Sequence, residues 1–196
     1  MLVIYDLEMT AWPGSAARNW SGPGEYPEIV QIGAVRLDAE LREVAALELI
    51  VRPRLNPVLS DFIIDLTGID QERVDREGVD IAEALARLAA FADGARLLLA
   101  NGSDADYVRI NIDLAGIDDP LAGQRFASTS RHFQRASGRG RHVVSSTLPE
   151  VFGFAPPGRA HDGLADARAI AEALRRTLPP GGLAALMPVI ERDPWL

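Results

Sequence analysis

The chain has no cysteine among its 196 residues. That excludes disulfides and thiolate metal sites, so any metal it holds must rest on oxygen and imidazole, the donors that suit hard cations such as Mg²⁺ and Mn²⁺. It lacks an apolar run of membrane-spanning length, and its apolar start runs into acids at positions 6 and 8 with no basic leader or small-residue cleavage site. A soluble, cytoplasmic chain that engages no membrane is expected. Positive charge is also lacking: the formal net charge is −8 and the pI about 4.9. A global basic field of the kind that gives tight, non-specific nucleic-acid binding is therefore excluded. No internal repeat of solenoid period is present.

With 47% hydrophobic residues the chain can build the core of one domain. Leu2–Tyr5 reads as a buried strand, followed by Asp6-Leu7-Glu8. Strand side chains alternate, so Asp6 and Glu8 share a face and set two carboxylates together beside the core. EIVQIGAVRLD and EVAALELIVRP alternate as strands, and the short LDAELRE connection predicts a hairpin, hence an antiparallel meander of three. Between the first two strands, PGSAARNWSGPGEYP marks a long loop. Helical spacing follows in DIAEALARLAAFADG, a buried strand in ARLLLANG, and helices from Asp104, in STLPEVFG and in DGLADARAIAEALRRTL, the last stopped by Pro179 and Pro180. Three strands followed by alternating helix and strand predict an α/β fold, a mixed sheet flanked by helices. RHFQRASGRGRH reads either as a solvated loop or as a local source of arginines for a phosphodiester backbone.

The acids map to element ends. Asp6 and Glu8 close strand one, Asp104 opens a helix directly after a strand, and His161 and Asp166 flank the start of the final long helix. Divalent cations let carboxylates from separate segments converge, because the metal charge inverts the local pKa logic. Two such ions could clamp the attacking and leaving oxygens of a phosphodiester. His161 lies five residues before Asp166, roughly 140° around an ideal helix, so the two cannot share one helical face. This predicts Asp162 as N-cap, Asp166 in the first turn and His161 on the entering loop, where an imidazole is suited to deprotonating water. Each group also has an ordinary role: a polar rim for the acid pair, a helix cap for Asp104, a loop hydrogen bond for His161 and a dipole partner for Asp166.

DLE, an acid after a later strand, and H-x-x-x-x-D over His161–Asp166 together resemble the DEDDh family of 3′-to-5′ exonucleases, which have an RNase H-like fold. DLEMTAW, EIVQIGAVRLD, VRPRLNPVLSDFIIDLTGIDQERVD and HDGLADARAIAEAL are similar to its exoribonuclease branch, which includes histone-mRNA exonucleases and KinA-pathway-inhibitor-like proteins. The resemblance covers about residues 2–178 and implies an exonuclease domain over 1–180, with 181–196 as a C-terminal appendage. It implies two divalent cations, Mg²⁺ or Mn²⁺, held by Asp6, Glu8, a middle acid and Asp166, with His161 as general base. Asp104 is taken as the middle acid; Asp106 is the alternative, because ANGSDADYVRIN departs from the family's spacing. Met9, Thr10 and Trp12 match positions that meet the terminal nucleotide, and Trp12 could stack on a base. In LSDFIIDLTGI, Phe62, Leu66 and Ile69 read as core and Thr67-Gly68 as candidates for the substrate path. The implied partner is single-stranded nucleic acid, RNA over DNA, and the implied products are nucleoside 5′-monophosphates. A DNA exonuclease and a non-catalytic module of the same fold remain as the other readings.

Overall fold

A computed structural model describes residues 1–192. Strand β1 (Leu2–Met9) pairs antiparallel with β2 (Ile29–Leu37), which pairs antiparallel with β3 (Glu43–Ile50), as the hairpin spacing predicts. Two short strands, β4 (Leu98–Ala100) and β5 (Phe126–Ser128), add in parallel on the other side of β1, giving the order β3-β2-β1-β4-β5. Among the described residues eight α-helices flank this sheet: α1 (Asp61–Thr67), α2 (Gln71–Glu77), α3 (Ile81–Phe91), α4 (Asp104–Ala115), α5 (Ser130–Ser137), α6 (Leu148–Phe152), α7 (Gly163–Thr177) and α8 (Gly182–Arg192).

The alternation of β1 splits the interior in two. Leu2 and Ile4 face one core with Ile170 and Leu174 of α7. Val3, Tyr5 and Leu7 face the other, with Leu85 and Leu88 of α3 and Val108 of α4. Each fully buried Leu or Ile contributes roughly 1.5–3 kcal/mol, so the central strand is held from both faces. Helix starts are capped by side chains that the chain supplies locally: Ser60, Asp70, Asp80 and Asp162 accept from the backbone N–H of Ile63, Arg73, Glu83 and Ala165. Asn111 of α4 ties that helix to the sheet, its Oδ1 accepting from the Ile29 N–H at 2.9 Å.

Several expectations change. β1 extends one residue past the acid pair, to Met9, with Asp6 and Glu8 within the strand as their alternation requires. RHFQRASGRGRH is not all loop, since α5 occupies its first part with only Phe133 buried. α2 and β5 also went unforeseen; the first buries only Val74, and the second is three residues long. The expected appendage is α8 as far as it is described: Leu183, Leu186, Met187 and Ile190 are buried in the α7 core, and the Leu183 N–H donates to Ala39 O at 2.8 Å. The rest of that segment, 193–196, lies outside the described residues. Among the described residues no helix is long and apolar enough to cross a membrane.

Candidate active site

At the C-terminal end of β1 lies a cavity of about 860 Å³ whose wall includes Asp6, Glu8, Asp104, His161 and Asp166. Three elements deliver them. β1 presents Asp6 and Glu8 on one face, both less than a tenth exposed. α4 begins at Asp104, directly after β4, which runs parallel to β1 and so opens at the same edge. α7 contributes Asp166 from its first turn and His161 from the residue before its cap.

α7 can come this close because two glycines face each other. Gly33 of β2 is in register with Asp6, and a Cβ built on it would sit 2.0 Å from the carbonyl carbon of Gly163 and the nitrogen of Leu164. Gln31, fully buried beside Glu8, then accepts from the Gly163 N–H at 2.8 Å. Asp162 caps the helix through Ala165 N–H at 2.9 Å, and the His161 N–H donates to Asp166 Oδ2 at 3.2 Å. The predicted local arrangement, a loop histidine, a capping aspartate and a first-turn aspartate, is present. Glu8, His161 and Asp166 each bring one ligand atom within 4.8 Å of the others.

The electrostatics are those of an unneutralised acid cluster. Burial, then Asp104, Asp166 and Glu8, push Asp6 well above the ordinary carboxyl range, against one hydrogen bond from Ser145. Burial, then Asp166 and Asp104, push Glu8 up to about 8. Burial raises Asp166 to about 7 and Asp104 to about 6. Among the described residues no arginine pairs with any of these four acids, although thirteen ion pairs are formed elsewhere. Buried like charges without counter-charge are costly, and an all-oxygen donor set with one imidazole fits divalent cations. His161 is half-buried, and burial followed by the nearby Arg159 lowers its pKa below the usual 6.5, which keeps the ring neutral at pH 7.

The middle-acid alternatives separate in space. Asp104 lines the acid cavity, whereas Asp106 lines a different cavity with Arg109, to which it is paired at 3.3 Å. Met9 and Trp12 line the acid cavity. Thr10 does not: it is buried, its hydroxyl donating to Tyr26 O and accepting from Glu28 N–H, so its side chain fastens the loop after β1. Phe62 is exposed at the cavity rather than in the core, Leu66 lines the cavity while packing against the core around Ile63 and Ile69, and Thr67 is buried with its hydroxyl donating to Ile63 O. Trp20 and Tyr107, an edge-to-face pair 5.5 Å apart, also line the wall. Sequence reading missed both; Trp20 sits in a loop without periodicity, where only its aromatic character in a Gly/Pro-rich stretch stood out.

Comparison with known proteins identifies the family and the fold. The chain is 27% identical to 3'-5' exoribonuclease 1 of Mus musculus over 192 residues, which is 92% of this chain and 53% of that protein. It thus spans about half the length of the curated relatives it matches. The solved nuclease domain of 3'hExo, a DEDDh family member, bound to rAMP, superposes with a TM-score of 0.74 at 26% identity over 89% of this chain and 90% of that one. E. coli exonuclease I in complex with a dA16 oligonucleotide shares the fold, with a TM-score of 0.68 at 16% identity over 89% of this chain and 40% of that one. The mixed five-stranded sheet with its flanking helices is the RNase H-like fold of these nucleases. The exonuclease family model RNase_T matches residues 3–174, and the chain belongs to that exonuclease family.

Proposed function

We propose that this chain is a metal-dependent 3′-to-5′ exonuclease that hydrolyses single-stranded RNA to nucleoside 5′-monophosphates in the cytoplasm. The observation that carries the reading is the convergence of Asp6, Glu8, Asp104, Asp166 and His161 on one cavity at the end of β1. The four acids would hold two divalent cations, Mg²⁺ or Mn²⁺, which when bound supply the positive charge that an in-line displacement at phosphorus needs. His161, neutral at pH 7, accepts the proton of the attacking water. Its backbone N–H on Asp166 fixes its position relative to the acids. Met9 and Trp12 offer an apolar wall and a stacking face for the terminal nucleotide. Support for RNA comes from the relative named as an exoribonuclease and the neighbour bound to rAMP.

The test uses 5′-labelled single-stranded RNA with Mn²⁺. The expected result is a ladder that shortens from the 3′ end and is abolished by chelator and by Asp6→Ala. A label that stays full-length with the wild-type chain overturns the reading in favour of a non-catalytic module. Matched RNA and DNA strands, assayed side by side, decide the sugar preference.

A further inference from the structure

The nuclease reading accounts for the acids and for one side of the cavity only. The sheet order puts α1, which follows β3, toward one edge and α5, which follows β5, toward the other. The cavity wall differs accordingly. Its lining includes the apolar Phe62 and Leu66 from α1, whereas α5 and the chain after it contribute the polar Ser130, Gln134, His142 and Ser145, with Val144 the one apolar residue among them. If the terminal nucleotide lies against Met9 and Trp12, the rest of the strand has to leave past the polar side.

We propose that residues 130–142 form the track that receives the strand upstream of the scissile bond, with its phosphates on Arg139 and Arg141 and its nearest nucleotide on the His142–Ser130 pair. The inference rests on the nuclease reading. Residues 131–142 hold four arginines and no acid, in a chain whose net charge is −8. This basic segment lies at the rim of the acid cavity and not on a remote face. The loop after α5 is anchored there: Gln134 Nε2 donates to Gly140 O at 2.8 Å, and Ser130 Oγ meets His142 Nδ1 at 2.6 Å. From the rim the chain runs inward. Asn101, just past β4, donates to Val143 O at 2.7 Å, and Ser145 lines the same cavity as Asp6. Four residues of chain bound the Cα separation of Arg141 and Ser145 to about 14 Å.

Arg139 and Arg141 are exposed. Arg139 reaches Glu150 only at 4.0 Å, and among the described residues Arg141 has no ion-pair partner. Guanidinium groups of this kind match phosphate oxygens, while the Ser–His pair adds hydrogen bonding suited to sugar or phosphate. An acidic protein can thus hold an anionic strand by local charge.

The experiment compares wild type, Arg139→Ala/Arg141→Ala and Arg139→Lys/Arg141→Lys on oligouridines from dinucleotide to decanucleotide. For wild type, kcat/KM should rise with length, because only longer strands reach the track. The alanine pair should lose about tenfold on the decanucleotide and leave the dinucleotide within about twofold. Between about 50 and 200 mM salt, the slope of log kcat/KM against log salt should become shallower by about 1.4, from two phosphates at about 0.7 each. The lysine pair should keep most of the length dependence. Equal loss at all lengths, no loss at any length, or a wild-type rate independent of length overturns the track while leaving the nuclease reading intact. No turnover of any oligouridine by wild type overturns that reading as well.

Discussion

His161 occupies the left-handed region, φ +60°, without being glycine. That conformation costs on the order of 1 kcal/mol or more and persists only where neighbours impose it. Here Asp166 accepts the backbone N–H of His161, Asp162, the next residue, caps α7, and Arg159 fastens the incoming loop by donating to Asp65 O at the end of α1, at 2.6 Å. The strain aims the imidazole at the acids. With the ring's pKa below 6.5, the base is active when neutral, so kcat/KM should rise with pH through a midpoint below 6.5 and then level. His161→Ala should lower kcat by about 10²–10⁴ and remove that rise. Glu8, His161 and Asp166 also approach closely enough to share an ion, and calorimetry separates the two roles. A base leaves Mn²⁺ affinity near wild type in the alanine variant, whereas a tenfold or larger drop would make the ring a ligand.

The contact between α7 and β2 decides whether the acids meet at all. Neither element's hydrophobic pattern shows it, because the pattern reports which face is buried and not how closely backbones approach. The pattern did reveal the three-strand meander, α3, α4 and α7, whose apolar positions recur at strand or helix spacing. It failed for α2 and α5, which bury one side chain each, and for β5, which has three residues. In the site, the pairs Asp6/Glu8 and His161/Asp166 were readable because each pair's spacing along the chain is local, whereas Asp104 showed only as an acid at a helix start after a strand. Phe62, Thr10 and Trp20 were misplaced or missed because their orientation depends on how the loop after β1 folds against distant residues. Gly33 tests the contact. A Cβ there would collide with backbone atoms of α7 that no side-chain rotation can clear. Gly33→Ala should cost roughly 2–3 kcal/mol, lowering Tm by about 5–10 °C, and should reduce nuclease rate by displacing Asp166 from Asp6. An alanine variant with wild-type Tm and rate would show that α7 does not lie where its role requires.

Across the whole molecule, arginines neutralise acids on the surface and leave the interior cluster alone. The two populations respond oppositely to pH. Glu25, Asp38, Glu77 and Glu172 have lowered pKa values through arginine or backbone hydrogen bonds, so their contribution is complete above about pH 4.5 and lost only in acid. The three histidines have lowered values, so they favour the fold as pH rises through 6.5, a gain that levels off about one unit above it. Asp6, Glu8 and Asp166 have raised values, about 8 for Glu8 and about 7 for Asp166. The folded state then binds more protons than the unfolded chain, and stability falls as pH climbs from the unfolded value near 4 through the folded one. Above pH 6.5 the remaining histidine gain is small beside this loss. In chelator, the free energy of unfolding should therefore fall between pH 6.5 and 8.5 by on the order of a few kcal/mol, with Tm falling alongside it, and Glu8→Gln should flatten the slope. Saturating Mn²⁺ should restore Tm, with a larger gain at pH 8 than at pH 6, because cations bind the ionised cluster and offset its repulsion. A Tm in chelator that stays level or climbs over that range would mean that the acids are not in mutual conflict, and the need for cations between them would lose its physical basis.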